Sequence, residues 1–105
     1  MVRPALILLL AALPLAAPAQ EPLNDRQLAG MRLFNQSCRV CHTKPQPTSE
    51  QYGPTLSRTS AGGNDDAMRV YIANGTAKMP GFRYHFKPAE IDALVAYLKT
   101  IPSPD

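Results

Sequence analysis

Cys38-Arg39-Val40-Cys41-His42 puts two thiols three positions apart and an imidazole directly after the second. In a helical turn, positions i and i+3 share a face. Both sulfurs can therefore bond the two vinyl groups along one edge of a porphyrin, and the imidazole can swing beneath the ring to reach its iron. C-x-x-C-H is the signature of covalent haem attachment. Two other chemistries draw on the same residue types. A redox-active dithiol uses C-x-x-C at a helix start in a βαβ context, and no strand pattern is visible here. A zinc site could in principle use Cys38, Cys41, His42 and His85, but zinc modules usually carry separated His pairs, and His42 abutting Cys41 is awkward for tetrahedral ligation.

The elements that must hold this motif are few. The chain has 105 residues, two Cys, eleven Pro, six Gly and a net charge of +3. That length allows one domain and excludes a TIM barrel or a doubly wound dinucleotide fold. Two cysteines cannot build a dense disulfide framework, and a weakly positive charge without a Lys/Arg block gives nucleic-acid binding little support. Arg3, the apolar run Ala5 to Ala12 and the small residues of Ala17-Pro18-Ala19 form a secretory signal pattern. The run is too short to span a membrane comfortably, and Pro14 and Pro18 interrupt it. The expected organisation is a cleaved signal peptide over 1–19 and a single domain over 20–105. Removing 1–19 takes one charge, Arg3, and leaves 86 residues with a net charge of +2. A chain of that size sits near the limit at which a hydrophobic core alone suffices, so a disulfide, metal or cofactor is expected to help.

Three helices are expected. The first starts after Asn24, with Gln27 at the capping-box position and Leu28, Met31 and Phe34 at helical spacing. Gly30 is costly inside it unless another helix approaches closely there. The second runs from about Asp65 to Asn74, capped by Asn64 or Asp65 and ended by Gly75, with Met68, Tyr71 and Ile72 on one face. The third runs from Pro88 to about Thr100, with Ile91, Leu94, Val95 and Leu98 at i, i+3, i+4, i+7. Between them, residues 43–63 and 76–87 are rich in Pro and Gly. Structureless loops of that length need a reason, and a large apolar object to wrap would be one.

Gly30-x-x-x-Phe34-x-x-x-Cys38-x-x-Cys41-His42, Gly53-Pro54-x-Leu56, Lys78-Met79-Pro80-Gly81-Phe82 and Leu94-Val95-Ala96-Tyr97-Leu98 follow one another in this order. The set resembles the class I c-type cytochromes over nearly all of residues 24–101. The resemblance implies an all-α cytochrome c fold, three to four short helices and long loops wrapped around one covalently bound haem c. It implies thioethers at Cys38 and Cys41, His42 as proximal iron ligand, and a Pro54 carbonyl that accepts the imidazole N–H. It also implies that the first and last helices cross at Gly30 against Phe34 and Tyr97.

Four residues could supply the sixth iron ligand: Met79, Met68, Met31 and His85. Met31 and Met68 lie on helical apolar stripes, where a core role is the default. Met79 lies in a loop whose backbone Pro80 fixes, so it is the expected ligand, with His85 the bis-histidine alternative. Thioether ligation favours Fe(II) and raises the reduction potential. Apolar burial by Leu56, Ile72, Phe82, Leu94 and Leu98 would act in the same direction. Arg58, Tyr52 and Tyr84 are candidate partners for the haem propionates. Arg39, Lys44, Lys78, Arg83 and Lys87 could form a basic rim that steers an acidic partner.

With both axial positions filled, iron has no open site for substrate. The expected function is therefore a periplasmic one-electron carrier rather than an enzyme. Its redox partners would be a periplasmic dehydrogenase or cytochrome complex as donor and a terminal oxidase or reductase as acceptor, with no nucleic acid and no membrane span after processing. Alternatives are a small electron-accepting subunit of a periplasmic dehydrogenase or sulfur-compound oxidase, and a haem sensor or peroxidase-like enzyme from which Met79 departs. N-terminal sequencing of the exported protein should begin at Gln20. A product that still carries residues 1–19 would contradict the cleavage.

Overall fold

The structure is a computed structural model that describes residues 1–2, 4–5, 9–15 and 21–104. Of the segment read as a signal peptide, Arg3 and Ala17-Pro18-Ala19 lie outside the described residues, and residues 9–15 hold no regular element. No described helix is long and apolar enough to cross a membrane. Helix α1 spans Asp25–Ser37 and opens on a full capping box: Asn24 Oδ1 accepts from Gln27 N, and Gln27 Oε1 accepts from Asn24 N, both at 2.9 Å. Asp25 in its first turn suits the helix dipole. Cys38 interrupts the run, and a four-residue helix α2 follows over Arg39–His42. The amides of Cys41 and His42 both donate to Cys38 O, at 3.2 and 3.1 Å, so the motif occupies one tight helical turn. Thr43 closes it by donating its amide and its hydroxyl to Arg39 O, at 3.1 and 2.7 Å.

Helix α3 spans Asp65–Asn74; Asn64 caps it through Ala67 N, and Gly75 ends it at φ 69°. Helix α4 spans Pro88–Leu98, with Pro in its first turn and Glu90 returning a bond to Lys87 N at 2.9 Å. It stops two residues short of the expected Thr100. Thr100 N turns back to Tyr97 O at 2.9 Å and the Thr100 hydroxyl bonds the same carbonyl, a tighter local pairing that replaces the α ladder. No strand forms among the described residues; one isolated antiparallel bridge joins Thr76 and Met79. The architecture is all-α.

One element has no clear precursor in the sequence pattern. Residues Ser60–Gly63 make a short 3₁₀ turn in which Ala61, Gly62 and Gly63 have φ of 52°, 67° and 71°. Ala61 pays for a left-handed backbone that glycine adopts freely. Lys99 secures the turn, donating to Gly63 O at 2.7 Å and lying 3.2 Å from Asp65 Oδ1.

The core forms where α1, α3 and α4 meet, from Phe34, Met68, Ile72, Phe86, Ile91, Leu94, Val95 and Leu98. Leu94 and Val95 are only 1% exposed. Helices α1 and α4 cross closely at Gly30. A Cβ built on Gly30 would strike the Ala93 carbonyl and come within 2.8 Å of Tyr97 Cβ, and the rings of Phe34 and Tyr97 meet at 5.4 Å. Arg69 joins α3 to α4, with Nε 2.6 Å from Asp92 and Nη1 2.8 Å from Asp66. Gly30→Ala should therefore lower unfolding stability by roughly 2 kcal/mol, because the crossing must open. Denaturant unfolding of the haem-loaded protein measures this, and an unchanged midpoint would show that the crossing has slack.

Candidate haem site

A cavity of about 660 Å³ opens beside the core, within the ~300–1,000 Å³ range of cofactor sites. Two Pro/Gly-rich segments supply most of its wall. Residues 52–61 bring Tyr52, Gly53, Pro54, Leu56, Ser57 and Ala61; residues 76–82 bring Thr76, Lys78, Met79, Pro80 and Phe82. Cys38, Cys41 and His42 line the same cavity, as do Met68, Tyr71, Ile72 and Leu98 from α3 and α4. The long loops thus have an apolar space to enclose.

His42 is fixed from behind. Its Nδ1 donates to Pro54 O at 2.7 Å. A carbonyl only accepts, so Nδ1 carries the proton, and Nε2 of the neutral ring keeps a lone pair for a metal. Gly53 leaves no space to spare: a Cβ there would lie 2.9 Å from His42 Cε1 and from Nδ1. Gly53 N also donates to Cys41 O at 2.6 Å, which draws the Gly-Pro segment onto the attachment turn.

Met79 is held on the opposite segment, half-buried. Thr76 N donates to Met79 O at 2.9 Å and Met79 N to Thr76 O at 3.3 Å. Beyond it, Phe82 N and Arg83 N donate to the free C-terminal carbonyls Ile72 O and Ala73 O of α3, at 2.9 and 3.1 Å. Gly75, at positive φ, packs where a Cβ would collide with Met79 O and with Gly81 N.

The other candidates separate cleanly. Met68 is buried in the core and also lines the cavity, whereas Met31 does not reach the wall. His85 is exposed and packs on Phe86, ring centroids 4.7 Å apart, away from the wall. Leu56, Ile72, Phe82 and Leu98 line the cavity; Leu94 is buried in the core behind it. Arg58 is exposed and outside the wall, although Ser57 and Thr59 on either side of it are part of the lining. Tyr84 is 96% exposed beneath the Arg83 guanidinium. Tyr52 lines the cavity and donates its hydroxyl to Lys78 O at 3.1 Å.

Sequence reasoning passed over the hydroxyl cluster of Ser57, Thr59 and Ser60. Among the described residues, Ser57 is the buried polar one. Its Oγ lies 2.9 Å from Thr59 Oγ1, and its amide donates to Ser60 Oγ at 2.9 Å. The run Ser57-Arg58-Thr59-Ser60 carried the only signal.

The competing chemistries lack their geometry. Cys38 and Cys41 are both free and half-buried. Burial, and then the neighbouring Cys41, push the Cys38 thiol up to about 11, the opposite of an activated redox thiolate. His85 does not join the cysteines, and no group of three His, Cys, Asp or Glu side chains gathers among the described residues. Two sulfurs, an imidazole with its proton fixed on the outer nitrogen, a thioether and an apolar wall fit a covalently held haem.

Known proteins agree with this geometry. A family model described as cytochrome c oxidase, cbb3-type, subunit III matches residues 25–98. Cytochrome c2 of Afifella marina is 29% identical over 114 aligned positions, covering 78% of this chain and 91% of that protein. Cytochrome c6 from the diatom Phaeodactylum tricornutum superimposes with a TM-score of 0.53 at 26% identity, over 69% of this chain and 88% of that one. The dihydro-heme d1 dehydrogenase NirN, solved in complex with DHE, gives a TM-score of 0.58 at 34% identity over 73% of this chain, which spans 17% of NirN. Gly53→Ala should displace the imidazole, shift the His42 ring resonances and cost roughly 1–3 kcal/mol of stability. Wild-type resonances in that variant would contradict the tight fit.

Proposed function

Because the chain belongs to the c-type cytochrome family of the cbb3-type subunit III model, a small monohaem electron-transfer protein with covalent haem c, we propose that it is an exported, periplasmic one-electron carrier with His/Met-ligated iron. In this reading, Cys38 and Cys41 hold the haem as thioethers, His42 is the proximal ligand and Met79 the distal one. The observation that carries it is the single cavity whose lining includes Cys38, Cys41, His42 and Met79 together. Haem bound there supplies an Fe(III)/Fe(II) couple. Pro54 O keeps the His42 ring in one tautomer and raises its basicity. The Thr76–Met79 backbone bonds fix the chain at Met79, whose thioether, as a ligand, would favour the reduced state.

Leu56, Ile72, Phe82 and Leu98 exclude water and limit the reorganisation that accompanies electron transfer. A fully ligated metal has no position for substrate, so the chain is a carrier and not an enzyme. Arg58, exposed between the lining residues Ser57 and Thr59, would reach the haem propionates from the open edge of the cavity. Arg39, Lys44, Lys78, Arg83 and Lys87 are all exposed and give an incoming redox protein a basic approach, which salt would screen. The segment 1–19 serves as the export signal, removed to leave the 20–105 domain.

The NirN likeness favours a second reading. A fold of this size occurs there as 17% of a dehydrogenase, so this chain can serve as the separate electron-accepting unit of a periplasmic oxidoreductase. Co-purification with a catalytic chain distinguishes that role from free diffusion. Met79→Ala should remove the weak long-wavelength sulfur-to-iron charge-transfer band of the oxidised protein and lower its reduction potential. Persistence of the band would assign the sixth ligand elsewhere.

A further inference from the structure

The 43–63 segment supports His42, and the 75–81 segment carries Met79. Among the described residues, one hydrogen bond joins these two segments: Tyr52 Oη donates to Lys78 O at 3.1 Å. Each end of this bond sits next to a residue of the axial pair's supports. Tyr52 precedes Gly53, whose backbone lies against the His42 ring and donates to Cys41 O. Lys78 precedes Met79. The other bonds of 75–81 stay on the far side: Gly75 N to Tyr71 O, the Thr76–Met79 pair, and Lys78 N to Thr76 Oγ1 at 3.2 Å. None of them spans the cavity from the proximal segment.

We propose that Tyr52 is the positioning residue for the sixth-ligand loop, a phenolic tether that ties the loop carrying Met79 to the segment supporting His42 and so holds the distal thioether in place. This rests on the His/Met reading of the site. For the loop to swing away and admit an external ligand, the Tyr52–Lys78 bond must break, whereas the bonds from Phe82 and Arg83 to α3 can remain as a hinge. Tyr52 is part of the cavity wall, and Tyr52→Phe removes the tether while keeping the ring. A neutral hydrogen bond at an exposed position lies in the lower half of its usual worth. The closed loop should therefore lose about three- to fivefold in its equilibrium advantage.

The test is an imidazole titration of the oxidised, haem-loaded protein, read by loss of the sulfur-to-iron charge-transfer band. Tyr52→Phe should bind imidazole about three- to fivefold more tightly, with the far-ultraviolet circular dichroism of the wild type. Tyr84→Phe, which removes an exposed hydroxyl away from the cavity, should leave the affinity unchanged. If wild type shows the band and Tyr52→Phe keeps wild-type imidazole affinity, the tether is overturned while the ligand reading stands. If wild type itself lacks the band, methionine ligation falls, and the role given to Tyr52 falls with it.

Discussion

A domain of this size has too little interior to keep a 660 Å³ cavity beside its core unfilled in solution. The buried cluster lies where three helices meet, and Met68, Ile72 and Leu98 face two ways at once, packing in that cluster and lining the cavity. The filled cavity is therefore the missing half of the hydrophobic core. The haem c of this family completes it, much as disulfides or metals complete other small domains.

The loops make sense on those terms. A long Pro/Gly-rich segment is expensive to order unless something repays its entropy. Here the 52–61 segment is tied to the chain just past α4, where Arg58 N reaches Ile101 O at 2.9 Å, and the 76–82 segment to the end of α3, where Phe82 N reaches Ile72 O. The glycines that matter are points of contact. Gly30 lets α1 and α4 cross, Gly53 lets the backbone rest on the His42 ring, and Gly75 turns the chain at positive φ so that it can fold back over α3. Each removes a Cβ at a place where another atom already sits.

Much of this was legible in the sequence because it is local. The Asn24/Gln27 box, the Asn64 cap, Pro88 in the first turn and Gly75 after the last mark helix ends by hydrogen bonds made within four residues. The attachment turn was legible because two thiols at i and i+3 have few other uses. The 57–60 segment was harder. Ser57 and Thr59 line the cavity while Arg58 between them is exposed, and sequence alone does not say which side of a non-helical segment meets the site. The left-handed run at Ala61 depends on Lys99, 36 residues beyond Gly63, and no local pattern announces such a partner. The bond from Tyr52 to Lys78, which spans 26 residues, was hidden for the same reason.

The central claim is that the helices and the cavity form one cooperative unit that the cofactor completes. It is tested most directly by comparing thermal unfolding, followed by far-ultraviolet circular dichroism, of the haem-loaded protein with that of the same chain made in cells lacking haem-attachment machinery. The loaded protein should be helical and melt in one sharp transition, while the haem-free chain should have little helix and no cooperative melt. A haem-free chain with the same helix content and the same transition would contradict the account.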